Sequence, residues 1–212
     1  MRFLLSLFVI LFISQQAVAE GAKPYKLSPE DHEVLTRVEK YLSGVHTISS
    51  DFIQAAPNGD ISNGKFFLER PGKLRMEYLP PTPVLMVTSG GQIVYYDKEL
   101  DQITRIPLES TLVGFLARDT VKFDHTVIIT DCERGDETVS ISLVQTQRPK
   151  DGSLTLEFSD NPLALRRMVV KDSGGQITTV ALNNAHFNFP LPASLFTFKD
   201  PHLGKKSGIH RN

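Results

Sequence analysis

Apolar and polar residues alternate with a period of two along most of this chain. Leu74, Met76 and Tyr78 alternate with Arg75 and Glu77, and Phe66 and Leu68 with Phe67 and Glu69. That period places one set of side chains on each face of a strand. Similar stretches follow at residues 84–88, 92–97, 102–106, 123–130, 138–144, 154–158, 165–171 and 176–182. Turn signals separate them: Asn58-Gly59, Asn63-Gly64, Arg134-Gly135-Asp136 and Asp151-Gly152 are hairpin-type turn sequences. The spacing predicts an antiparallel sheet that curls into a barrel or a sandwich.

Two stretches follow the helical period instead. Ser28 is a good N-cap, Pro29 fits the first helical position, and Glu30, Asp31 and Glu33 load the first turns with negative charge. Val34, Leu35, Val38, Tyr41 and Leu42 then form one apolar stripe, and Gly44 is a natural stop. The second stretch is residues 108–118, with Leu108, Leu112, Phe115 and Leu116 at helical spacing and Ser110 or Thr111 as cap. It reads as a short apolar helix that either lids an open end of the sheet or connects strands on the outside.

The first residues change the picture of where the chain works. Arg2 precedes an apolar run over 3–13 that is broken only by Ser6, and Ala17-Val18-Ala19 supplies a small-x-small site. This order predicts a secretory signal peptide over 1–19, and the run is too short for a membrane span of about 20 residues. The mature chain would be one domain over 20–212. Its first residue, Glu20, stands where a lipid-anchored protein would carry cysteine, so a soluble domain is expected. Cys132 is the only cysteine, so no internal disulfide can form and the core must hold the fold.

Candidate chemistry is sparse. Loss of the signal leaves 22 basic against 24 acidic residues, with no basic stripe interleaved with aromatics, so no nucleic acid partner is expected. Lys205, Lys206, His210 and Arg211 read as a frayed basic tail. No two of the six histidines share HxH or HExxH spacing, and no metal or cofactor is expected. There is no GxSxG elbow. Ser89-Gly90-Gly91-Gln92-Ile93 recurs as Ser173-Gly174-Gly175-Gln176-Ile177, but a strand pattern follows each, so these are turns rather than phosphate loops. Cys132 falls in a loop-like DCERGD segment, where acidic neighbours would raise its pKa. Glu69, Glu77 and Glu157 belong to the solvated face. Nothing here suggests an enzyme.

One ordered set of residues resembles a known family. Phe52 and Gln54 are followed by Gly64, then Arg70-Pro71-Gly72 before an alternating strand, then Pro80-Pro81, Gly90, Tyr96-Asp97, Gln102-Ile103 and the segment LVGFLAR. In this order they resemble the LolA family of periplasmic outer-membrane lipoprotein carriers. The resemblance spans residues 32–199. It is strongest up to Arg118; beyond that, strand spacing and Phe196-Thr197-Phe198 carry it. It implies an incomplete, unclosed antiparallel β-barrel, mainly β, with helices over a concave apolar face. It also implies a monomeric periplasmic chaperone that takes acylated lipoproteins from an inner-membrane ABC transporter to a LolB-like outer-membrane receptor. Arg70 matches the family's lid-latching arginine, and Leu116 and Ala117 match the lid residues it addresses. Where family members often carry larger aromatics, Trp included, this chain has Leu74 and Met76 and no Trp.

Carriage sets a physical condition. Each buried CH₂ is worth about 0.8 kcal/mol, so full burial of several long chains would prevent release. The chains must be held partially, or against strain. Leu74, Met76, Tyr78 and Met86 are the candidate cavity residues from the strands, and Leu112, Phe115 and Leu116 those from the lid; each could equally be plain core. A carrier of another lipid, or a periplasmic sensor or scaffold built on the same half-barrel, are the other readings.

Overall fold

The protein is described by a computed structural model covering residues 22–203. The signal peptide expected over 1–19 and the basic tail at Lys205, Lys206, His210 and Arg211 lie outside the described residues. Helix α1 runs Pro29–Gly44. The Ser28 hydroxyl accepts from the Asp31 N–H at 3.2 Å, and the Asp31 carboxylate accepts from the Ser28 N–H at 2.8 Å. This reciprocal box satisfies donors that a helix start leaves unpaired. Val34, Leu35, Val38 and Leu42 are buried on its inner stripe.

Eleven strands form one sheet: β1 (Thr47–Ala55), β2 (Ile61–Glu69), β3 (Lys73–Tyr78), β4 (Val84–Ser89), β5 (Gln92–Asp97), β6 (Gln102–Pro107), β7 (Val127–Arg134), β8 (Thr138–Gln145), β9 (Gly152–Asp160), β10 (Leu163–Asp172) and β11 (Ile177–Phe187). All pairs are antiparallel, in the order β6-β5-β4-β3-β2-β1-β11-β10-β9-β8-β7. β6 and β7 are the two outer edges and do not pair with each other, so the barrel is unclosed. The backbone between them is a 3-10 turn, Leu108–Ser110, and a one-turn helix α2, Leu112–Leu116, capped by the Thr111 hydroxyl. Ahead of α1, the Tyr25 N–H bonds Ile129 O at 2.9 Å and covers part of the β7 edge.

The period of two sorts the two faces. Ile48, Leu68 and Leu74 lie side by side on the concave face, as do Phe66, Met76 and Met86. The Glu residues expected on the solvated face do face outward, paired with cations: Glu69 with Lys73, Glu77 with Arg75 and Glu157 with Arg167. Val87 and Val94 also lie on the outer face, yet both are fully buried. The chain beyond β11 covers them. Arg75 donates to Leu195 O at 3.1 Å, and the Phe198 ring meets Tyr96 edge-on at 5.9 Å.

Three expectations are corrected. Asn63-Gly64 is no turn but lies inside β2, where Phe52, Gly64 and Tyr78 are in register. Glycine is needed there because a Cβ would stand 2.2 Å from Glu77 O and 2.7 Å from the Phe52 ring. The strand expected over 123–130 starts later and runs longer, Val127–Arg134. Cys132 is therefore a buried strand residue, not a loop one. Its thiol is pushed up to about 11, first by burial and then by Asp31 on α1. Finally, the helix expected over 108–118 is divided. Gly114 N bonds the Thr111 hydroxyl and only five residues are α-helical.

Candidate functional site

Arg70 follows the last residue of β2 and is 8% exposed. A buried cation needs partners, and a planar guanidinium offers five donors in a fork. Its Nε donates to Leu116 O, in the last turn of α2, at 2.7 Å. Its Nη1 donates to Leu42 O and Val45 O at the end of α1. Helix ends leave such carbonyls unpaired and favour a positive charge. Burial lowers the guanidinium pKa to about 10, so it stays cationic at physiological pH.

The same turn makes a second tie. Gly72 N donates to Ala117 O at 2.7 Å. Leu116 O is thus held by the Arg70 side chain, and Ala117 O by the turn's backbone. The chain beyond α2 is tied to α1. Ser43 Oγ donates to Val121 O at 3.0 Å, and Phe123 N donates to Glu39 at 2.6 Å. Phe115 stacks on Phe123 at 5.6 Å, and the Arg118 guanidinium lies over Phe115 at 5.1 Å.

Beneath this knot the concave face is closed. Tyr41, Leu42, Val45, Ile48, Phe66, Leu68, Arg70, Leu74, Val113, Leu116 and Leu165 surround a space of about 10 Å³. A single water molecule needs about that much. Among the candidate cavity residues, Leu74 and Leu116 line this space. Met76 and Met86 face each other one step along the same apolar face. Tyr78 is fixed further along by its hydroxyl on Gln54, 2.7 Å, and by an edge-on Phe52 ring at 5.0 Å; burial pushes its hydroxyl up to about 12. Leu112 and Phe115 line an open groove of about 880 Å³ on the other side of the lid, with Arg118, Thr126, Gln145 and Arg148 among its walls. α2 is therefore a partition, with Val113 and Leu116 facing the closed interior.

Sequence reasoning missed Tyr41, Ile48, Val113 and Leu165 as lining residues, and the α1 carbonyls as partners of Arg70. The α1 stripe pointed to Tyr41; nothing local pointed to Leu165, which sits across the sheet. Among the described residues, no group of three or more His, Cys, Asp or Glu could hold a metal. No described helix is long and apolar enough to cross a membrane.

Comparison with known proteins bears on this arrangement. The family model described as outer membrane lipoprotein carrier protein LolA matches residues 43–199. An outer-membrane lipoprotein carrier protein of Legionella pneumophila is 30% identical over 183 residues, covering 80% of this chain and 90% of that protein. An uncharacterised protein of Rickettsia prowazekii is 24% identical over 169 residues, covering 80% and 78%. In fold, the chain is similar to a DUF1329 family protein of Desulfovibrio piger, with 10% identity, a TM-score of 0.50, and coverage of 79% of this chain and 96% of that one.

Proposed function

The chain belongs to the outer membrane lipoprotein carrier protein LolA family, and on that premise we propose that its single domain, residues 20–212, ferries acylated lipoproteins across the periplasm. It receives them from an inner-membrane ABC transporter and passes them to a LolB-like receptor. It works as a monomer and catalyses no reaction. Arg70 is the latch, Leu116 and Ala117 are the lid groups it and its turn hold, and the acyl chains spread Leu74, Met76, Tyr78 and Met86 from the inner side of α2, Val113 and Leu116, while Leu112 and Phe115 stay on the side of the outer groove.

One observation carries this reading: a buried cation ties two helices over an apolar space that is nearly empty of volume. Arg70 also satisfies the carbonyls at the two helix ends, but burying a cation carries a desolvation penalty that an apolar side chain there would avoid. A carrier has a use for that cation. Acyl chains entering the space must break the three Arg70 bonds, and that penalty offsets part of the large gain from burying CH₂ groups. Cargo is then held loosely enough to leave. Native mass spectrometry of the protein from a periplasmic extract tests this. A complex with triacylated lipoprotein is expected; a complex with phospholipid and no lipoprotein would overturn it in favour of another lipid cargo.

A further inference from the structure

The sheet is parted at one place away from the lid. β10 and β11 are in register only from Arg167↔Ala181 to Lys171↔Ile177. Both strands are irregular where they separate. The β9–β10 ladder shifts between Leu165 and Arg167, the β1–β11 ladder shifts between Ser49 and Asp51, and Asn184 takes φ 52°. A strand that leaves its neighbour exposes backbone donors, and Tyr41 supplies the missing acceptor: Leu165 N donates to its hydroxyl at 3.1 Å. Its ring fills the gap between Phe158 and Phe187, edge-on to both at 6.0 and 6.3 Å.

Tyr41 has two sides. Inward it lines the closed apolar space under the lid; outward it floors a groove of about 510 Å³ with Leu163 and Phe187, rimmed by Arg37, Lys40 and Asn188. Arg37 is bonded to Asp160, so among the charged residues that line the groove Lys40 carries the positive charge left over. An apolar floor leading inward and a single net cation outside fit an amphiphile with one chain and one negative charge.

We propose that this seam is a second mouth of the cavity, plugged by Tyr41, and that it takes a single-chain fatty carboxylate. The carboxylate lies at Lys40 and Arg37, and the chain runs over Leu163 and Phe187 and swings the Tyr41 ring out of the seam toward the open groove. The seam is separate from the lid and its ligand is not the lipoprotein cargo, so its failure and the failure of the carrier reading are distinct results.

The probe is cis-parinaric acid, titrated by fluorescence into the full mature chain, with its methyl ester as the uncharged counterpart. The acid is expected to bind more tightly than the ester. Lys40→Glu, at an exposed position, is expected to weaken the acid about tenfold or more, the scale of one lost charge contact, and to leave the ester unchanged. Tyr41→Trp, a bulkier plug, is expected to slow uptake of both, while Tyr41→Phe, which keeps the ring, slows neither. Equal binding of acid and ester, or no effect of Lys40→Glu, overturns the proposal, as does failure of the wild-type chain to bind the acid at all. None of those results would touch a lipoprotein complex seen by native mass spectrometry.

Discussion

The Nε of Arg70 donates to the carbonyl oxygen of Leu116 across 2.7 Å, and this bond joins the end of β2 to the last turn of the lid. The other arm of the same fork grips the end of α1 at Leu42 and Val45. One side chain thus bonds both helices, alongside the Gly72–Ala117 bond and the ties of Ser43 and Glu39. A hydrogen bond from a charged donor contributes about 1.5–3 kcal/mol, so the set holds α2 against α1, and the proposed function requires that cargo break it.

Removal of the latch should loosen the lid before it unfolds the sheet. In Arg70→Leu, amide hydrogen exchange in α2 is expected to quicken about tenfold or more, the effect of losing one such bond, while β8 and β9 stay protected. Arg70→Lys keeps the charge but not the planar fork and should fall between. Unchanged exchange in α2 would mean that the Gly72–Ala117 bond alone holds the lid.

Close approach at Gly64 gives a second test. An added Cβ would meet Glu77 O and the Phe52 ring at 2.2 and 2.7 Å. Gly64→Ala should lower the urea midpoint by the equivalent of about 1–3 kcal/mol, the usual penalty of overpacking. Gly44→Ala, with nothing within 4 Å of the new carbon, should leave it unchanged or raised.

Cys132 should report global unfolding. Its thiol is buried and pushed up to about 11, and the thiolate is the reactive form. Alkylation at neutral pH is expected only as the sheet opens, at a rate that follows unfolding in urea. Rapid labelling of the folded protein would place the thiol at the surface.

The capping box should leave a mark on the acid limb of stability. The Asp31 carboxyl is held below the usual carboxylate range, chiefly by the Ser28 N–H. A depressed folded pKa adds stability that is present above the unfolded value, near 4 for aspartate, and is lost as pH falls through the folded one. Asp31→Asn should flatten the denaturation profile below about pH 4 and change its shape little near neutrality.

The parts of this fold that were legible are those encoded locally. Ser28, Pro29 and the stripe from Val34 to Leu42 specify α1 within their own turn lengths, and the clean alternation of Leu74, Met76 and Tyr78 specifies a two-faced strand. Asn63-Gly64 misled because a hairpin pair and a glycine under an aromatic ring look the same in sequence; the Phe52 ring that decides comes from another strand. The burial of Val87 and Val94 had no local signal, because their cover is the chain near Leu195 and Phe198, more than a hundred residues on. Arg70 was reached by resemblance. Its partners on α1 were not, because a carbonyl acceptor carries no residue-type signal.

The most direct measurement is of the lid itself. Spin labels at the exposed positions Glu109 in the lid segment and Glu33 on α1, introduced as Glu109→Cys and Glu33→Cys beside the unreactive Cys132, give their separation by double electron–electron resonance. Loading with a triacylated lipoprotein is expected to shift the wild-type distribution to longer distances, and empty Arg70→Leu should already show the longer component. Identical distributions with and without cargo would contradict the account, since the three chains of that cargo cannot be seated in a space of about 10 Å³ unless the lid moves.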